Sequence, residues 1–252
     1  MSWVITGKQK HNWSPEFIST FLWLDASDAS TITLTDGVVE VWADKSGNGF
    51  DALQGTPDQR FAYDQTLNGL NVVTSNSSSM RGMAVPAGVF GFQSAFIVYN
   101  DTSTAQYTTP LGCTYLIGSD TGTRGGFFHG HISDSQLFSS NFTKSATLNG
   151  SNFKDGTDIG DGTSTPRPDT HSVFSFVATD PVVSQNALER VGSDPSNNRR
   201  IIGDLAEIIL LEEAVSESRR QAIEGYLAHK WGLTANLPAD HPYKTLAPLP
   251  GA

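Results

Sequence analysis

GDLAEIILLEEAVSESRRQAIEGYLAHKWG, residues 203–232, places a strand and a helix side by side, and its reading decides the fold. Residues 205–211 (LAEIILL) form a short apolar run of the kind found in a buried strand. Beyond Glu213 the period changes. Ser216 offers an N-cap hydroxyl with Glu217 in the first turn, and Ile223, Tyr226, Leu227 and Trp231 recur on one helical face. Lys230 stands in the last turn, where a cation suits the helix dipole, and Gly232 follows as the left-handed stop. The spacing predicts a helix over 216–231 packed through its aromatic stripe. The proline-rich tail NLPADHPYKTLAPLP (236–250) is expected to run extended along the surface.

Upstream, runs of the same strand-like character recur between turn residues: FLWLD (21–25), VVEVW (38–42), LNVV (70–73), AFIVY (95–99), CTYLIG (113–118), GFFH (126–129), VFSFVA (173–178) and ALERV (187–191). Many short strands with glycine-rich turns are the signature of an antiparallel sandwich. Strict alternation puts Val38, Glu40 and Trp42 opposite Val39 and Val41. Residues 139–170, poor in apolar side chains, read as a long hairpin or excursion. Strands of one character flank them, so 15–252 is expected to be one sandwich including the helix and tail, preceded by a polar arm over 1–14. Ser14-Pro15-Glu16 reads as the start of a short helical turn.

A chain of 252 residues is within the range of a single large β-sandwich. Its net charge of −10 opposes nonspecific binding to nucleic acid and to anionic membranes. The lone Cys113 has no intramolecular disulfide partner, and its apolar setting suits an inert buried thiol. No run is long and apolar enough for a membrane span, and the N-terminal residues lack the pattern of a secretory signal.

LWLDASDASTIT (22–33), VWADKSGNGFDALQ (41–54), LNGLNVV (67–73) and the closing GDLAEIILLEEAVSESRRQAIEGYLAHKWGLTANLPADHPYK (203–244) resemble concanavalin A-like, laminin G-like jelly-roll domains of bacteriophage virion proteins and bacterial surface proteins. The resemblance covers both ends of the chain and little of residues 75–170. It implies an all-β, two-sheet antiparallel jelly-roll sandwich with one C-terminal α-helix. It also implies a virion component, a head decoration or a fibre part, with host glycans as a possible ligand class.

Candidate chemistry is sparse. In DKSGNG, Asp44 can cap backbone amides while Gly47 and Gly49 permit positive φ and Asn48 tolerates it; the oxygens of Asp44, Asn48 and Asp51 could equally ligate Ca²⁺. GSDTGTRGGFFHGH (118–131) offers Asp120, Arg124, Phe128 and His129 for sugar hydroxyls and a sugar face, against a plain glycine-rich hairpin with core phenylalanine. His129 and His131 share a strand face but lack nominated further metal ligands. Asp204 and Glu207, three apart, fall on opposite faces of a regular strand, and the paired-acid spacing of jelly-roll glycanases is absent. No nucleophile elbow or phosphate-binding loop occurs.

These readings favour a non-enzymatic virion protein without a required cofactor. Its expected partners are other virion proteins, reached through the arm and tail, together with further copies of itself and host glycans. The alternatives are a polysaccharide-cleaving hydrolase and a bacterial adhesion lectin.

Overall fold

The computed structural model describes residues 13–75, 82–85, 91–102, 117–118, 136–183, 189–193 and 200–250. In chain order the strands are β1 (Leu22–Asp25), β2 (Ile32–Thr35), β3 (Val38–Trp42), β4 (Ala52–Leu53), β5 (Phe61–Leu67), β6 (Leu70–Ser75), β7 (Met83–Val85), β8 (Gly91–Tyr99), β9 (Ile117–Gly118), β10 (Ser151–Lys154), β11 (Thr157–Asp158), β12 (Ser172–Val183), β13 (Glu189–Val191) and β14 (Gly203–Leu211). A short helix, α1 (Ser145–Leu148), precedes β10, and the long helix α2 (Glu217–Lys230) follows β14. Of the runs read as strands, 126–129 and most of 113–118 lie outside the described residues.

Pairing among these strands is antiparallel and follows the path β11-β10-β12-β8-β14-β6-β5-β3-β4-β7-β13-β9, with β1 added to β14 and β2 to β3. The path turns a corner at β5. Phe61 and Ala62 pair with β3, Ala62 and Gln65–Leu67 pair with β6, and the register on β6 slips between Ala62 and Gln65. A bulge at such a point bends the strand and lets one sheet pass into the other. The product is an all-β antiparallel sandwich with a long C-terminal helix.

Two apolar layers hold it together. Leu22, Leu24, Val39, Trp42, Phe61, Ala95, Ile97, Tyr99, Ile208 and Leu210 meet between the sheets. Trp23, Phe96, Val98, Ile209 and Leu211 point the other way, onto Ile223, Leu227, Ala228 and Trp231 of α2. β8 and β14 are therefore buried on both faces. That is why AFIVY and EIILL read as continuous apolar runs rather than alternating ones.

Three hairpins turn on two-residue loops with positive φ at both positions: Asp36-Gly37 (56° and 80°), Asn68-Gly69 (53° and 76°) and Asp155-Gly156 (51° and 78°). Such turns match the right-handed twist of the strands they join. The last of them joins β10 to β11, so the excursion over 139–170 does contain a hairpin, preceded by α1.

Strict alternation fails in β3. Thr33 pairs with Val41 but Leu34 with Val39, so Glu40 is an extra residue, and Val39 and Trp42 both face the core although three apart. The same happens in β14, where the register shifts between Leu205 and Glu207. Asp204 and Glu207 consequently stand on the same, helix-facing side: Asp204 bonds Thr74, two residues from Val72 of the helix-side layer, and Glu207 bonds α2. The expectation of opposite faces is corrected by this bulge.

α2 forms over 217–230, with the Ser216 hydroxyl accepting the Arg219 amide at 3.4 Å. At its other end Gly232 has φ 73° and Leu233 N–H donates to Ala228 O at 2.7 Å, the wrapped closure expected of a glycine stop. The tail is not simply extended. A 3-10 turn at Thr234–Asn236 and a second turn at Pro238–His241 fold it back on the helix, where His241 is buried and bonds Glu224 at 3.3 Å. Trp13, inside the expected arm, is 2% exposed, packs edge-on against Tyr226 and donates to Pro248 O at 2.9 Å. The turn expected at Ser14-Pro15-Glu16 is present over Pro15–Phe17.

Candidate functional site

The β14 bulge turns Glu207 into the seam between sheet and helix, where it is 0% exposed. Its Oε1 accepts from Trp23 Nε1 (2.8 Å) and the Tyr226 hydroxyl (3.0 Å), and its Oε2 from Trp231 Nε1 (2.8 Å) and Lys230 Nζ (2.7 Å). Four donors replace the water a carboxylate loses on burial, and a cation balances its charge. Burial nevertheless pushes the Glu207 carboxyl above its ordinary range, with repulsion from Asp25 adding to it and Lys230 opposing. Tyr226 is likewise held well above the usual phenol value by burial and by Glu207.

Lys230 is thus a bridge as well as a helix-end cation. Its Nζ also donates to Asp25 Oδ1 at 2.7 Å. Asp25 Oδ2 then takes Lys45 Nζ at 3.1 Å, and Lys45 reaches Asp28 at 2.8 Å while lying 4.3 Å from the centre of a Trp23 ring. Burial works to raise the Asp25 carboxyl, but Lys230, Ser27 and Lys45 together outweigh it and hold it below its ordinary range. Residues from LWLDASD, DKSGNG, GDLAEIILL and AHKWG meet in this one knot.

The DKSGNG loop covers the free edge of β1. Trp23 N–H donates to Asp44 Oδ1 (2.9 Å) and Lys45 N–H to Trp23 O (2.8 Å), extending the ladder by one side chain and one backbone bond. Asn48 Nδ2 donates to Phe21 O at 2.9 Å, and Ser46 Oγ reaches the same carbonyl at 3.2 Å. An edge strand left open is a template for unwanted pairing, and this loop closes it. Asp44 Oδ2 also takes Ser46 Oγ (2.6 Å) and Phe50 N–H (3.1 Å), while Asp51 Oδ1 accepts Asp44 N–H at 2.8 Å. Asp44, Asn48 and Asp51 therefore do the work of a turn and an edge cap, with Gly47 and Gly49 at φ 88° and 75°. Among the described residues, no group of three or more His, Cys, Asp or Glu side chains is placed to hold a metal ion.

Beside this loop a cleft of about 400 Å³ opens between the Pro15–Phe21 segment and Lys45, Ser46 and Asn48. A second network lies under the far half of α2: Glu224 is 0% exposed, receives Arg220 at 2.7 and 2.8 Å, and bonds Ser175 Oγ and His241. Ser175 and His241 both address the carboxylate rather than each other. Asp120, Arg124, Phe128, His129, His131 and Cys113 lie outside the described residues.

Sequence reasoning missed the Glu207 knot and the Glu224 network. Only the unusual presence of a glutamate inside an apolar strand and of another on the packed face of a helix signalled them, because buried acids demand partners. No family model, no curated protein and no solved structure matches the chain.

Proposed function

We propose that this chain is a non-enzymatic structural component of a bacteriophage particle, a head decoration or fibre part, whose rigid sandwich contacts glycans of the host surface. One observation carries the reading. Three of the segments resembling virion jelly rolls, 22–33, 41–54 and 203–244, are those whose side chains lock one another around Glu207 and along the β1 edge. Their residues build a stiff scaffold, the quality a shell or fibre module needs, and the two acids best placed for hydrolysis are engaged in it or beside it.

Trp13, in the expected arm, is bonded to Pro248 of the tail. An arm and a tail rooted together suit anchoring to neighbouring virion proteins, including copies of this chain, by strand addition. Asp120, Arg124, Phe128 and His129 remain the glycan-contact residues of this proposal, in the segment 118–131.

A cryo-EM reconstruction of the native source particle tests it. The sandwich on the capsid lattice makes the chain a decoration protein, and the sandwich at a fibre tip makes it a receptor-contact module. A particle without it, checked by mass spectrometry of the same preparation, refutes the proposal.

A further inference from the structure

We infer that a second cleft, on the outer sheet face beyond the reach of α2, is a binding site for a neutral polyhydroxylated ligand, a single sugar ring. The cleft measures about 340 Å³ and is lined chiefly by Gln65, Thr74, Asn100, Thr102, Ile202 and Asp204. Gln65 pairs with Val72, a residue of the helix-side layer, and Thr74 stands two residues further along and pairs with Asp204. Side chains at that spacing share a face, so β5, β6 and β14 present these three groups together, next to Asn100 and Thr102 at the end of β8.

The lining is held in place. Asp204 Oδ1 accepts from Thr74 Oγ1 at 2.7 Å, Oδ2 lies 3.0 Å from His171 Nε2, and Asp204 N–H donates to Asn100 Oδ1 at 2.6 Å. Thr102 Oγ1 donates to Ile202 O at 3.1 Å. Gly203 makes the approach of Asn100 possible, because a Cβ there would stand 2.4 Å from Asn100 O. Groups fixed on strands by their own hydrogen bonds bind without the entropy cost of being ordered.

The chemistry selects the ligand. Asn100 Nδ2 and Gln65 Oε1 make no hydrogen bond among the described residues, leaving an amide donor and an amide acceptor beside hydroxyls that can still accept. The lining holds one carboxylate and no lysine or arginine, which disfavours an anion. A hydroxyl both donates and accepts, so a ring bearing several of them matches the set, and half-buried Ile202 offers apolar contact for ring C–H groups. The inference rests on the glycan-contact reading above but assigns the contact to other residues.

A printed array of neutral and acidic mono- and oligosaccharides probed with the full chain, followed by calorimetric titration of the free methyl glycoside of the strongest hit, tests it. Gln65→Ala with Thr102→Val, both exposed positions, is expected to weaken affinity at least tenfold at an unchanged melting temperature; Phe128→Ala reads the segment 118–131 in parallel. A glycan bound equally well by the cleft variant overturns this inference, and if Phe128→Ala abolishes that binding the reading of 118–131 stands alone. An array on which the wild-type chain binds nothing overturns both.

Discussion

Lys230 has two buried carboxylates to answer, Glu207 and Asp25, each 2.7 Å from its ammonium. Removing it leaves Glu207, 0% exposed, without a cation and Asp25 with Lys45 alone, and breaking a buried pair from one side typically costs about 3–5 kcal/mol. Lys230→Met is expected to destabilise the fold by that amount in urea titration, and Lys230→Met with Glu207→Gln by clearly less than the sum of the single changes. Asp28 tests the rim of the same knot. A hydrogen bond from Lys45 and others from Ser30 hold its carboxyl down to about 2. Its contribution is therefore present above its unfolded value of 3.8 and lost as pH falls through about 2. Its side chain is 33% exposed, so Asp28→Asn is expected to cost under about 1 kcal/mol at pH 7, and the gap from wild type should close in thermal melts taken down to pH 2. At this scale the sequence showed residue types but not partners. Glu207 in LAEIILL was visible as an acid, whereas Trp23, which donates to it, lies 184 positions away.

At the scale of the element, local signals worked where the element is closed by its own residues. Ser216, Gly232 and the aromatic stripe of α2 were all legible because capping and helical period act within a few positions. Asp36-Gly37, Asn68-Gly69 and Asp155-Gly156 were equally legible as hairpin dipeptides and would have located β2, β5 and β11. Bulges were not legible. In β3 and β14 the extra residue exists only relative to a pairing strand, so period-two reading put Val39 opposite Trp42, and Asp204 opposite Glu207. Gly225 shows the tertiary term overriding propensity: glycine inside a helix usually costs about 1 kcal/mol against alanine, yet here a Cβ would stand 2.4 Å from Tyr243 Cβ. Gly225→Ala is expected to lower the melting temperature, and Gly225→Ala with Tyr243→Gly to recover part of the loss; a rise with Gly225→Ala alone would show that the tail yields freely.

For the whole molecule, α2 is a lid on a sheet face that the sandwich cannot cover by itself. Trp23, Phe96, Val98, Ile209 and Leu211 form a contiguous apolar surface beneath it. A chain ending at Glu213 is expected to aggregate or to bind a hydrophobic dye strongly, with broadened thermal unfolding, because soluble proteins rarely tolerate large exposed apolar patches. The acidic balance of 26 carboxylate residues against 16 Lys and Arg acts at this scale too, and predicts no retention on a DNA column at physiological salt.

The fold class, the long helix α2 with its two caps, and the turn at DKSGNG were legible from the chain alone, because these follow from composition and from interactions a few residues long. That DKSGNG closes the edge of β1, that the tail folds back on α2, and that Lys230 serves two buried acids as well as the helix dipole emerged with the three-dimensional arrangement. Those facts depend on β1 lying beside β14 and on a bulge that exists only in the pairing. Contacts of that range leave no periodic trace along the chain.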